Sequence, residues 1–162
     1  MSPSLPNSRD CFVCGVDNPR GFALKFRREE GRVLTHVTLP DWAVGFRHTA
    51  HGGIVATLLD EVMSWAATCH AQAPTATAEM TVRYRKPTPV RCELRLEAEI
   101  VKARGPLLYA EARLLGPDGD PCATSTGKHM KLPESAKETY DLAYEPGDIR
   151  IFGELRGEAE QR

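Results

Sequence analysis

Asp60 and Glu61 sit side by side within Ile54-Val55-Ala56-Thr57-Leu58-Leu59-Asp60-Glu61-Val62-Met63-Ser64-Trp65-Ala66-Ala67, a run that is otherwise mostly apolar. A helix of that composition must be buried, and burying even a neutral polar group without a partner costs roughly 2–7 kcal/mol. His51-Gly52-Gly53 opens directly into the run. Paired glycines let a ligand approach backbone N–H groups at the positive end of a helix. A carboxylate beside exposed amide donors is the minimum equipment for attacking a carbonyl and holding the oxyanion that forms. These residues are read as a candidate active site.

At 100° per residue, Ile54, Val55, Leu58, Leu59, Val62, Trp65, Ala66 and Cys69 fill a wide apolar arc. Asp60 falls outside it, among Ala56, Thr57, Met63, Ser64 and Ala67, and these small neighbours leave room for an approaching group. Glu61 lies further round, near Thr57, Leu58, Ser64 and Trp65. A solvent stripe would also carry such charges. The entry favours a site, because a helix start without a Ser, Thr, Asp or Asn cap leaves its amides to another acceptor.

The elements that must position these residues follow from local pattern. Leu24 to Thr38 predicts a hairpin turning at Glu30-Gly31, and Pro40 to Thr49 a loop carrying Trp42, Phe46 and His48. The helix is expected over about Gly52 to Cys69. Four segments then alternate. Ala78, Met80, Val82 and Tyr84 oppose Glu79, Thr81, Arg83 and Arg85, while Leu94, Leu96, Ala98 and Ile100 oppose Glu93, Arg95, Glu97 and Glu99. Leu108, Ala110, Ala112 and Leu114 oppose Tyr109, Glu111 and Arg113, and after the Pro117-Asp118-Gly119-Asp120 turn the last strand runs from Cys122 to Leu132. Period-two alternation signals antiparallel strands with one buried face. The expected architecture is α+β, a hairpin and a four-strand meander forming a curved antiparallel sheet around one long central helix.

Composition bounds the rest. The 162 residues suit one domain, expected over residues 1–132 with a Cys-x-x-Cys segment near its start, followed by an extension over 133–162 that is either packed or partly disordered. The first ten residues read as a loose tail. Lys+Arg 21 against Asp+Glu 22 gives a net charge of −1, which argues against a nucleic-acid partner held through phosphates. No stretch reaches the ~18 apolar residues of a membrane span. The N-terminal residues lack a signal-peptide pattern, so a cytoplasmic location is expected and the five cysteines are read as free thiols.

Cys11-Phe12-Val13-Cys14 has a spacing at which thiolates share zinc, but no second Cys-x-x-Cys or His-x-x-x-His completes a four-ligand set. Cys69, Cys92, Cys122 and His36 qualify only if the fold gathers them. No metal is expected, and a redox role lacks its βα context. His129 and His70 read as ordinary surface or core residues, and Tyr109 and Trp65 as core or tunnel lining.

His51-Gly52-Gly53 with Ala56-Thr57-Leu58-Leu59-Asp60-Glu61 resembles the pattern of PaaI-type acyl-CoA thioesterases of the hotdog superfamily. Cys11-Phe12-Val13-Cys14-Gly15 with Asn18-Pro19 and Gly21, and Thr77-Ala78-Glu79-Met80-Thr81-Val82-Arg83-Tyr84 with Arg85 and Pro87, are similar to two further family segments. The resemblance implies a hotdog fold and cofactor-free hydrolysis of acyl-CoA. It implies Asp60 as base or nucleophile, with Glu61 the next candidate carboxylate, and Gly52 as N–H donor to the thioester oxygen. It further implies that Thr77 orients water or carboxylate and that His51 shapes the pocket. Gly53 and His48 are expected to line the substrate site. Arg83, Arg85 and Lys86, with Lys102, Arg104 and Lys128, are candidates for the coenzyme A phosphates. Many relatives carry Asn six residues before this histidine. Here the residue is Gly45, with Arg47 or His48 as substitutes. A homodimer or dimer of dimers, with sites between subunits, is implied. The competing readings are hydratase chemistry and a non-catalytic acyl-CoA-binding module.

Overall fold

The computed structural model describes residues 2–152. The apolar run folds into one helix, α1 (Gly52–Ala71), two residues longer than its pattern because Gln72 closes it in the left-handed conformation, φ 49°. Val55, Leu58, Leu59 and Val62 are buried as the apolar arc requires, and so are Met63 and Ala67, which the helical wheel grouped with Asp60. The sheet covers more than one side of α1, reaching it through five strands.

In chain order the strands are β1 (Asn7–Ser8), β2 (Arg27–Glu29), β3 (Arg32–Thr38), β4 (Val44–Phe46), β5 (Thr49–Ala50), β6 (Thr75–Tyr84), β7 (Glu93–Arg104), β8 (Leu107–Leu115), β9 (Pro121–Lys131) and β10 (Leu142–Ala143). Six form one antiparallel sheet in the order β2-β3-β7-β8-β9-β6. The α+β expectation of a curved antiparallel sheet around one long helix, the hotdog fold, holds. The chain is less simple than a meander. β6 pairs with β9, not with β7, so it forms the far edge. Residues 85–92 carry Pro87, Pro89 and the positive-φ Arg91, which suit a crossing connection and not a tight hairpin.

Register explains the core. Val33, Ala98, Ala112, Ser125 and Val82 pair in succession across the sheet. Val33, Ala98 and Ala112 join the helix side chains in one apolar cluster, with Val82 packed against it. The next row, Leu34, Glu97, Arg113, Thr124 and Arg83, presents the other face.

Residues 2–10, expected as a loose tail, are tied down. Leu5 is fully buried, Leu5 N–H donates to Phe26 O at 2.9 Å, and β1 pairs with β10. The extension packs back as far as it is described. Ile151 and Phe152 are buried, and Lys25 Nζ reaches Asp148 at 2.8 Å and Asn7 Oδ1 at 3.0 Å. Residues 153–162 of the expected extension lie outside the described residues.

Candidate active site

Asp60 projects from the middle of α1 and accepts a hydrogen bond from Thr77 Oγ1 at 2.8 Å. Strict alternation along β6 would turn Thr77 to the same face as Glu79. A bulge between Thr77 and Glu79 inserts Ala78 and turns the hydroxyl to the helix. Ser64 Oγ, one turn along α1, lies 3.3 Å from Thr77 Oγ1.

His129 faces Thr77 directly across the β6–β9 ladder, with Nδ1 3.4 Å from Thr77 Oγ1. The Thr77 proton goes to Asp60, so we assign the proton on His129 to Nδ1, which leaves Nε2 as a bare acceptor. That Nε2 is buried without a partner among the described residues. A Cβ on Gly127 would sit 3.0 Å from it and 3.1 Å from Met63 Cε, so glycine makes room for the ring. Burial lowers the His129 pKa and the Asp60 charge opposes this, which keeps the imidazole neutral. Pattern reading took His129 for an ordinary residue. Only the β6–β9 register reveals its neighbour.

At the helix entry the expected absence of a cap is corrected. His51 is itself the N-cap, its Nδ1 accepting from Gly53 N–H at 2.9 Å. The Gly53 amide is therefore taken, and a substrate contact expected there does not have it as a donor. No described group accepts from the Gly52 N–H. Tyr84 donates its hydroxyl to Gly52 O at 2.7 Å, and a Cβ at Gly52 would press to 3.3 Å from that hydroxyl. Gly45 packs against the cap, since a Cβ there would sit 3.0 Å from His51 Cα. A side chain at this position would crowd the His51 ring as well, at 3.2 Å from its Cδ2. His48 is exposed, with φ 61°, and accepts from Val90 N–H through its carbonyl at 3.3 Å.

The structure separates the two carboxylates. Glu61 turns from the Asp60 group and accepts from Trp65 Nε1 at 3.0 Å and from the Cys11 thiol at 3.6 Å. Nor are the expected phosphate ligands gathered beside Asp60 within one chain. Arg83 and Arg85 line a groove of about 510 Å³ with Arg32, Glu97 and Arg113, on the sheet face opposite α1. Lys86 is held by Asp118, with Asp120 at 3.8 Å, and Lys128 by Glu79 at 2.9 Å. Lys102 lies over the Tyr109 ring at 5.5 Å.

Residues 48–123 match the family model described as Thioesterase superfamily. The chain has the hotdog fold and is similar to the thioesterase superfamily over that span. A solved thioesterase superfamily protein is 27% identical with a TM-score of 0.71, over 76% of this chain and 61% of its own. This chain therefore spans less than two thirds of that protein. The E. coli PaaI protein from the phenylacetic acid degradation operon is 14% identical with a TM-score of 0.64, over 70% of this chain and 82% of its own. A hypothetical thioesterase from Streptococcus pneumoniae TIGR4, solved with coenzyme A, is 15% identical with a TM-score of 0.63, over 68% of this chain and 87% of its own. These last two likenesses are of fold alone. No curated protein matches the chain. Among the described residues, no helix is long and apolar enough to cross a membrane.

Proposed function

We propose that the chain hydrolyses acyl-CoA thioesters to free acid and CoA, with Asp60 as the general base. The observation that carries this reading is the Asp60–Thr77 bond, which takes up Oδ1 and leaves Oδ2 without a partner among the described residues. Asp60 removes a proton from water, and the resulting hydroxide adds to the thioester carbonyl carbon. The carbonyl oxygen takes the charge against the Gly52 N–H. Collapse of the tetrahedral adduct breaks the C–S bond, and the CoA sulfur leaves with the proton from Asp60.

Gly52 and Asp60 stand eight residues apart on one helix, about 12 Å along its axis. One carbonyl group does not span that distance. A second copy resolves it, with Gly52 of the partner subunit serving the Asp60 of the first. The edge for such pairing is β6, whose Ala76–Glu79 stretch is exposed and whose outer backbone row has no strand beside it among the described residues. The reading is thus a homodimer, with a dimer of dimers as an extension of it. The substrate class rests on the match of residues 48–123 to the thioesterase family model and on coenzyme A in a protein of the same fold. A reducing, cytoplasmic setting suits the five free thiols.

The hydratase reading needs a histidine at the acyl chain, and His129 is fully buried and reaches Asp60 only through Thr77. It is the weaker reading.

The test is release of CoA thiol from a panel of short, long and aryl acyl-CoAs, with the protein's own cysteines blanked. Turnover favouring one acyl class is expected. Binding of acyl-CoA with no thiol release from any of them would contradict the proposal.

A further inference from the structure

Cys11, Cys14 and Glu61 take no part in the hydrolysis proposed above, yet the fold gathers them beside it. One ligand atom from each, two sulfurs and a carboxylate oxygen, all lie within 4.8 Å of one another. Cys11 Sγ stands 3.6 Å from Glu61 Oε1. A tetrahedral zinc with Zn–S ~2.3 Å and Zn–O ~2.0 Å holds its sulfur and oxygen ligands about 3.5 Å apart.

The loop is built to present the sulfurs. Val13 N–H donates to Cys11 Sγ at 3.3 Å, and Gly15 N–H closes the turn on Cys11 O at 2.7 Å. A Cβ on Gly15 would fall 2.2 Å from Cys11 O and 2.5 Å from Arg9 O, so this Cys-x-x-Cys-Gly turn admits only glycine. Asn7, itself buried, anchors the turn by donating to Cys14 O at 2.5 Å and Leu24 O at 3.0 Å.

The cluster is short of positive charge. None of the ion pairs among the described residues involves Glu61. A bound cation would supply the counter-charge that Glu61 lacks.

We propose that Cys11, Cys14 and Glu61 are three protein ligands of a zinc-class, thiophilic divalent cation whose fourth position faces the neighbouring cavity. That cavity, about 220 Å³, is edged by the hydroxyls of Ser8, Ser64, Thr68, Thr75 and Tyr140, a polar wall suited to a metal-bound water. Three protein ligands with one open position is the arrangement of reactive zinc, distinct from closed four-ligand structural sites. The sequence holds no second Cys-x-x-Cys or His-x-x-x-His to complete the set. The third ligand is a carboxylate fifty residues away on α1. The site ties the N-terminal loop to the helix one residue from Asp60, and it stands independently of the hydrolysis reading.

The test uses the full chain, reduced and stripped with a chelator, titrated first with Co²⁺ and then with Zn²⁺. Expected are a single cobalt per chain with a thiolate-to-cobalt charge-transfer band and a tetrahedral visible band, both erased by Zn²⁺. Zn²⁺ should protect Cys11 and Cys14 from alkylation, with peptide mapping showing Cys69, Cys92 and Cys122 unaffected. Glu61→Gln should weaken Zn²⁺ binding at least about tenfold, since even an outer-shell loss costs that much. Cys14→Ser should diminish the charge-transfer band. If that variant does not fold, Glu61→Gln and the wild-type alkylation map decide alone. The proposal fails if the reduced protein takes up neither metal, if the protected cysteines are others, or if Glu61→Gln binds Zn²⁺ as tightly as wild type. A Cys11–Cys14 disulfide whose reduced form ignores both metals would overturn it in favour of a redox pair.

Discussion

Thr77 donates its hydroxyl hydrogen to Asp60 across 2.8 Å, and this bond joins the edge strand β6 to the middle of α1. The contact exists because the bulge at Ala78 reverses the facing of Thr77. A hydrogen bond to a charged group contributes about 1.5–3 kcal/mol.

Thr77→Val should therefore lower kcat/KM by about 10- to 150-fold with the fold retained. Thr77→Ser keeps the donor and should stay close to wild type. Steady-state kinetics of the two variants on one acyl-CoA checks this. Equal activity in Thr77→Val would remove Thr77 from the site.

The Gly52 amide can be deleted with little else disturbed. Gly52 is the first residue of α1, where proline is tolerated, and His51 before it is already extended at φ −63° and ψ 135°. Gly52→Pro should fold, with Tyr84 yielding a few tenths of an ångström to the new ring, and lose roughly 100- to 1,000-fold in kcat. Circular dichroism and turnover on the same sample separate a lost donor from a lost fold.

His129 makes stability depend on pH. Its pKa is lower folded than unfolded because of burial, so the unfolded chain binds more protons as the medium acidifies. Its stabilising share is fully present above about pH 6.5, the ordinary histidine value, and is lost as pH falls toward the lowered folded value. Urea unfolding of wild type referenced to His129→Gln should give a difference that is flat above neutrality and shrinks on acidification. A flat difference throughout would show that His129 titrates normally.

How much of this was legible beforehand varied with the range of the interaction. Val55, Leu58, Leu59 and Val62 announced α1, because helical period and burial are local facts. Strand alternation from Glu93 to Leu115 was equally open, although β7 runs on to Arg104 past a register irregularity between Ile100 and Lys102. Met63 and Ala67 misled because a sheet curving round α1 buries positions that a one-sided wheel leaves outside. β10 gave no local signal, since its partner β1 lies at the opposite end of the chain.

The candidate site divides in the same way. Asp60, Gly52 and Thr77 were marked by residue type and by family resemblance. His51 capping Gly53, His129 beside Thr77 and Glu61 beside Cys11 depend on side-chain direction and strand register, which spacing alone does not encode.

The central claim, that Asp60 is the base of a thioesterase, is tested most directly by Asp60→Asn. Acyl-CoA binding by calorimetry and CoA release should be measured on the same preparation, with Glu61→Gln alongside. Retained binding with turnover reduced at least about 100-fold, the low end for a positioned acid–base group, is the predicted result. Turnover unchanged in Asp60→Asn would contradict the account, and a loss found only in Glu61→Gln would move the base to the other carboxylate.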